Sequence, residues 1–274
     1  MVPVFGWSPT RVTAAVLTTA LLATASAAAE RLNDKDVKQL IERIDNERDR
    51  FEDQLDGKLK RSIIRGPGGE VDVERFLDDL QENVDKLEDR FSSQYAASAE
   101  VTTVLRQGSD IQRYMSTLPP SFDGASEWNR LAASLAELAA AYGSGFPVAE
   151  GQQARRLNDG EVKKAAEEIG KNADRFKKDL DSALKQDTSV AQAAREAAVK
   201  EADGLKQDAR HLASTIGGGK PSSGEAQALI RRASAIRAAG SGRPMSGAAQ
   251  SSWNAVEEGL AKIAQAYDLP LRLP

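Results

Sequence analysis

The chain has 274 residues, a formal net charge of −4 and no cysteine; 41% of its residues are apolar, 28% charged and 5% aromatic. That length exceeds one typical domain, and the apolar share is enough for two cores, which argues against a chain disordered throughout. The lack of cysteine excludes disulfides, thiol catalysis, cysteine-ligated zinc, covalently attached c-type haem and a lipidated cysteine.

Residues 1–29 carry one basic residue, Arg11, then an uncharged run from Val12 to about Ala25 and a small-residue exit. The pattern predicts an export signal, with candidate cleavage motifs at Ala25-Ser26-Ala27 and Ala27-Ala28-Ala29. An uncleaved anchor is the alternative, because Val12 to Ala29 approaches the ~20 residues that span a bilayer. The short run and small residues favour cleavage, so the expected address is periplasmic or extracellular, with no integral membrane span afterwards.

The next segment, Arg31-Leu32-Asn33-Asp34-Lys35-Asp36-Val37, returns 125 residues later as Arg156-Leu157-Asn158-Asp159-Gly160-Glu161-Val162. Each copy reads as a helix start, with asparagine as N-cap, an acid three residues on to reach back, and a leucine placed as a hydrophobic staple. Asp34 and Asp36 suit the positive end of the helix dipole, which gives them a structural reason to be there. The helix that follows is predicted to run to about Arg61 on Val37, Leu40, Ile41, Ile44, Phe51, Leu55 and Leu59. Its counterpart uses Val162, Ile169, Phe176, Leu180 and Leu184. Ala165 and Ala166 replace Leu40 and Ile41, so a neighbouring helix should approach more closely there.

Ser62 to Asp72 contains Gly-Pro-Gly-Gly and is expected to be a loop. A second helix follows on Val73, Phe76, Leu80, Val84, Leu87 and Phe91. Its later counterpart is alanine-rich, keeps Leu205 and Leu212, and lies 118 residues on. A third helix pairs Val101, Val104, Leu105 and Ile111 with Ala226, Leu229, Ile230 and Ile236, stopping before Pro119 and Pro244. Ser121 and Ser246 are expected to help start the last helix. That helix repeats most visibly: Trp128 to Tyr142, WNRLAASLAELAAAY, and Trp253 to Tyr267, WNAVEEGLAKIAQAY. Trp128, Leu131, Leu135, Leu138 and Tyr142 fall on one helical stripe, the seam of a bundle.

The predicted fold is all-α, two tandem antiparallel four-helix bundles from an internal duplication, eight helices in the mature chain. The expected divisions are a signal at 1–29, repeat 1 at 30–142, a linker at 143–154 and repeat 2 at 155–274. The first repeat is acidic, net −8 over residues 31–150, and the second basic, net +4 over 151–274. Such asymmetry favours docking of the halves on each other or head-to-tail association, unless it is only drift of solvated surfaces.

No catalytic, metal or cofactor-binding residues are predicted. His211 is the only histidine, and a di-iron bundle needs two Glu-x-x-His segments. Gly217-Gly218-Gly219-Lys220 lacks the early glycine, the hydroxyl residue and the preceding strand of a phosphate loop. Acids alternate with bases along every helix, the pattern of a solvated face and not of a nucleic-acid track. The remaining polar candidates for an interaction or ion pair are Asp49, Arg50, Asp174 and Arg175, which precede the repeated Phe51 and Phe176 in mid-helix and point away from the apolar stripe.

The W…L…LA…Y pattern of Trp128, Leu135, Leu138-Ala139 and Tyr142 resembles that of exported bacterial helical-repeat proteins with no established activity. The resemblance covers both repeats and implies an exported helical protein, with no functional residue to carry over. Spectrin-like repeats also use a helical tryptophan, but their three-helix plan fits four segments poorly. The expected function is therefore a non-enzymatic structural or protein-interaction module of the cell envelope or periplasm, with an unidentified protein or envelope partner. The alternative is a bundle that holds a small apolar ligand or b-type haem. Peripheral membrane attachment through amphipathic helices is a third reading.

Overall fold

A computed structural model describes residues 30–66, 69–240, 245 and 247–271. The predicted signal lies outside these residues, as do Pro244 and Ser246 of the second bridge. The described chain is mostly helical: α1 (Asp34–Gln54), α2 (Gly57–Lys60), α3 (Val73–Arg90), α4 (Ser98–Met115), α5 (Ala125–Ala141), α6 (Asp159–Gln186), α7 (Gln192–Gly217), α8 (Ser223–Gly240) and α9 (Gly247–Ala266), with strands β1 (Ile63–Gly66) and β2 (Gly69–Asp72) between α2 and α3. Among the described residues no helix is long and apolar enough to cross a membrane.

The two main helix starts use the expected asparagines. Asn33 accepts from the Asp36 amide at 2.9 Å and Asn158 from the Glu161 amide at 2.8 Å. Only the second becomes a full capping box, with the Glu161 carboxylate accepting from the Asn158 amide at 2.9 Å. Asp36 is one methylene shorter, and no such return bond forms. The last-helix start also differs from expectation. Gly124, and not Ser121, is the N-cap of α5, at φ 96°. That backbone suits glycine, and a Cβ built there would touch the Phe51 ring at 3.5 Å.

Two further expectations are corrected in the first half. Helix α1 ends at Gln54, seven residues short of Arg61, because Leu55 turns extended at ψ 128° and Asp56 caps the short α2 by accepting from the Lys58 amide. Leu55 nevertheless stays buried. The expected loop at Ser62–Asp72 is a β-hairpin, registered Ile63 to Asp72, Ile64 to Val71 and Arg65 to Glu70. Alternation sends Ile64 into the core and leaves Ile63 exposed. The turn glycine Gly69 has φ 110°. With α2 added there are nine helices among the described residues in place of the eight expected.

The buried apolar side chains form two clusters, one drawn from residues 37–154 and one from 162–267. Each holds a tilted phenylalanine–tryptophan contact: Phe51 on Trp128 with centroids 5.3 Å apart, Phe176 on Trp253 at 5.0 Å. Each also ends on a buried tyrosine. Tyr142 donates to the Ala96 carbonyl at 2.5 Å, and the Tyr267 hydroxyl lies 2.6 Å from Ser222 Oγ. Burial raises both phenols above their ordinary pKa. Helix α9 lies close on α6: a Cβ on Gly259 would stand 2.5 Å from Ile169 Cγ1 and 3.7 Å from the Ala165 carbonyl. The missing side chain of Gly259 permits this approach, beside the backbone of Ala165.

Residues 143–154 run back along α4. The Val148 amide donates to Ser109 Oγ at 2.8 Å, the Ala154 amide to Thr102 Oγ1 at 3.0 Å, and Phe146 and Val148 pack on the first cluster. The Arg155 amide then bonds the Tyr142 carbonyl at 2.9 Å. This stretch is tied along its length to the first half.

Candidate functional site

Asp49 and Arg50 are exposed on α1, and Arg175 is exposed on α6. Asp174 is half-buried and ion-paired. The four therefore do not converge on one point. Beside Asp49 stands a residue the pattern reading passed over. Arg48 is 3% exposed and its guanidinium is held by Asp49 and Glu52. It falls on the apolar stripe Ile41, Ile44, Arg48, Phe51, where α6 has Ala173. A charged residue inside a three-and-four spacing was the available signal.

The same helix pair carries opposite electrostatics in the two halves. On α6 and α7, Lys177 Nζ meets Asp203 at 2.7 Å, Lys206 Nζ meets Asp174 at 2.6 Å, and Lys178 Nζ meets Asp174 at 2.8 Å. Hydrogen bonds from Lys178 and Lys206 hold the Asp174 carboxyl well below the usual carboxylate range. Lys177, with Gln207, lowers Asp203 in the same way. At the corresponding places on α1 and α3 the three lysines are Glu52, Asp53 and Glu88, and the two aspartates remain as Asp49 and Asp85. Buried Arg48 is already held by its own helix. Asp45, one turn before Asp49, has its pKa raised by burial and then by repulsion from Asp49 and Asp85, with Arg48 opposing part of the shift. The α1–α3 face thus keeps acids at all five of these places, with Arg48 the cation that Asp49 and Glu52 share, whereas on α6–α7 each of the two aspartates meets a lysine of the other helix.

A second convergence of ionised groups joins the halves. Arg31 donates to Asp159 Oδ1 at 2.5 Å and to the Leu157 carbonyl at 2.7 Å. Arg156 donates to Asp34 Oδ1 at 2.9 Å and to the Leu32 carbonyl at 2.7 Å. The first amide of each helix donates to the other's aspartate: Asp34 N to Asp159 Oδ2 at 2.8 Å, Asp159 N to Asp34 Oδ2 at 2.9 Å. The contact is a local pseudo-twofold in which each helix N-terminus is capped by the opposite acid. Each half gives one arginine and one aspartate, so the opposite net charges of the halves play no part in it. Burial, and then the nearby Arg31, lower the pKa of Arg156. Both guanidiniums are well buried, and these bonds offset part of the cost of their desolvation.

His211 stands on the outside of α7, its side chain 70% exposed and Nε2 3.7 Å from Glu225. It belongs to neither apolar cluster. Among the described residues no group of three or more His, Cys, Asp or Glu side chains is placed to hold a metal ion. No protein-family model, curated protein or solved structure matches the chain.

Proposed function

We propose that the chain is an exported, non-enzymatic helical protein of the periplasm or cell envelope, made of two tandem antiparallel four-helix units that arose by internal duplication. Its two units act as one body that presents an acidic face to a protein partner. Duplication is supported by features that recur 125 residues apart: the asparagine caps, the Phe–Trp contacts, the terminal tyrosines and the crossed arginines. A single body is supported by the reciprocal Arg31–Asp159 and Arg156–Asp34 contacts.

The observation that carries the interaction reading is the α1–α3 face. It keeps acids where its counterpart keeps lysines, and burial together with the neighbouring Asp49 and Asp85 disfavours the charge of Asp45 there. An excess of like charge costs stability, and a partner that brings lysine or arginine to it gains both association rate and specificity. The basic second half of another copy is one such surface; a separate basic protein is another.

The test is photo-crosslinking in the native compartment, with a benzoyl-phenylalanine at Asp85 on the acidic face and, separately, at exposed Lys178 on the neutralised one. The expected result is a salt-sensitive adduct from position 85 alone, on a protein that has lost its leader. A mass of twice the chain identifies self-association. Equal labelling from both positions, or none from either, contradicts the interaction role.

A further inference from the structure

The pseudo-twofold relation extends to a pair of sites beside the crossed arginines, and the two copies are in different states. At the start of α8 the Glu30 carboxylate accepts from the Ser222 amide at 2.9 Å and the Ser223 amide at 3.2 Å. The Arg31 amide anchors this segment by donating to Ser223 Oγ at 3.3 Å. What remains there is a residual cavity of about 40 Å³ between Glu30, Lys220, Pro221 and Ser222. A chain carboxylate fills the place and caps the helix.

The related site is at the start of α4, where the Arg156 amide donates to Ser98 Oγ, also at 3.3 Å. Here the residue in the place of Glu30 is Arg155, exposed, and no side chain caps the α4 amides. A cavity of about 540 Å³ opens instead, lined among others by Tyr95, Ala97, Ser98, Arg106, Arg155 and Arg156. Arg156 is 2% exposed in its side chain, and its Nε and Nη1 have no protein acceptor. Glu161, the acid in the lining, is committed to the Asn158 amide. Tyr95, 42% exposed, offers an aromatic wall.

We propose that the cavity at the start of α4 is a binding site for a carboxylate carried on a peptide, in the place where the other half binds its own Glu30. The occupied copy supplies the ligand chemistry. The open copy adds helix amides with no side-chain cap, the positive end of the α4 dipole and the arginines Arg106 and Arg155, with buried Arg156 behind them. None of the α1–α3 acids lines the site, so it stands or falls independently of the interaction role.

The test uses the full chain and follows the backbone amide signals of Ser98 and Ala99 by NMR during titration with N-acetyl-glutamate amide, N-acetyl-glutamine amide and acetate. The expected result is saturable shifts with the glutamate probe and none with its glutamine isostere. Shifts with acetate as well show that a free carboxylate suffices; shifts with the glutamate probe alone show that the peptide frame is required. Arg155→Glu, which places a carboxylate in cis as Glu30 does, should raise the thermal midpoint and weaken the glutamate probe by at least about tenfold. Arg155→Gln should leave the midpoint unchanged. Equal response to the glutamate and glutamine probes, or no response to either carboxylate, overturns the proposal. So does undiminished binding by Arg155→Glu.

Discussion

Asp45 and Asp174 respond to pH with opposite signs. The Asp45 carboxyl has a raised folded pKa. Its charge therefore penalises the fold above that value, and the penalty disappears as pH falls toward the unfolded value of about 3.9. Asp174 has a lowered folded pKa. Its contribution is complete above about pH 3.9 and is lost only as pH falls further. Asp45→Asn should thus stabilise the protein in urea unfolding at pH 7, and the gain should shrink as the pH approaches 4. A gain that is the same at both pH values would show that the fold does not disfavour the Asp45 charge. Arg48 gives a second residue-scale prediction. Asp49→Ala alone should cost little, because Glu52 still pairs the buried guanidinium. Asp49→Ala with Glu52→Ala leaves that charge uncompensated and should cost about 3–5 kcal/mol, whereas Arg48→Met should be near neutral or stabilising. Equilibrium unfolding of the three variants decides this.

The elements were legible in the sequence wherever spacing alone determines them. Phe51, Trp128, Phe176 and Trp253 lie inside the clusters as their three-and-four spacing requires. The hairpin was not legible, because Gly66-Pro67-Gly68-Gly69 read as a helix stop and strands of four residues are too short to show a period of two. The β-branched Ile63-Ile64 and Val71 on either side of that turn were the available signal. The crossed arginines were missed for a different reason. Asn33 and Asp36 gave Arg31-Leu32-Asn33-Asp34 a sufficient local role as a cap, yet Arg31 and Arg156 have no part in a cap, and their repetition asked for another partner. Packing at the element scale is tested by Gly259→Ala. Its added methyl meets Ile169 and should cost about 1–3 kcal/mol in thermal or chemical unfolding. A neutral outcome would mean that α9 can move off α6 freely.

At the scale of the whole molecule, two apolar clusters are joined by a contact in which each half caps the other. The segment between them is bonded to α4 and to Tyr142, which leaves little slack for the halves to swing. Glu30 and Arg31 reach across to the start of α8, and the Arg31 guanidinium also lies over the Tyr267 ring at 5.7 Å. The first residues of the described chain are thus part of the second half's surface.

The central claim is that the reciprocal contact makes one body of the two halves. It is tested most directly by a spin-label distance measurement between Gln81→Cys on α3 and Lys200→Cys on α7, which the absence of native cysteine makes specific. A single narrow distance distribution is predicted, broadening when Arg31 and Arg156 are both replaced by alanine. A broad distribution with both arginines present, or no change on their removal, would contradict it.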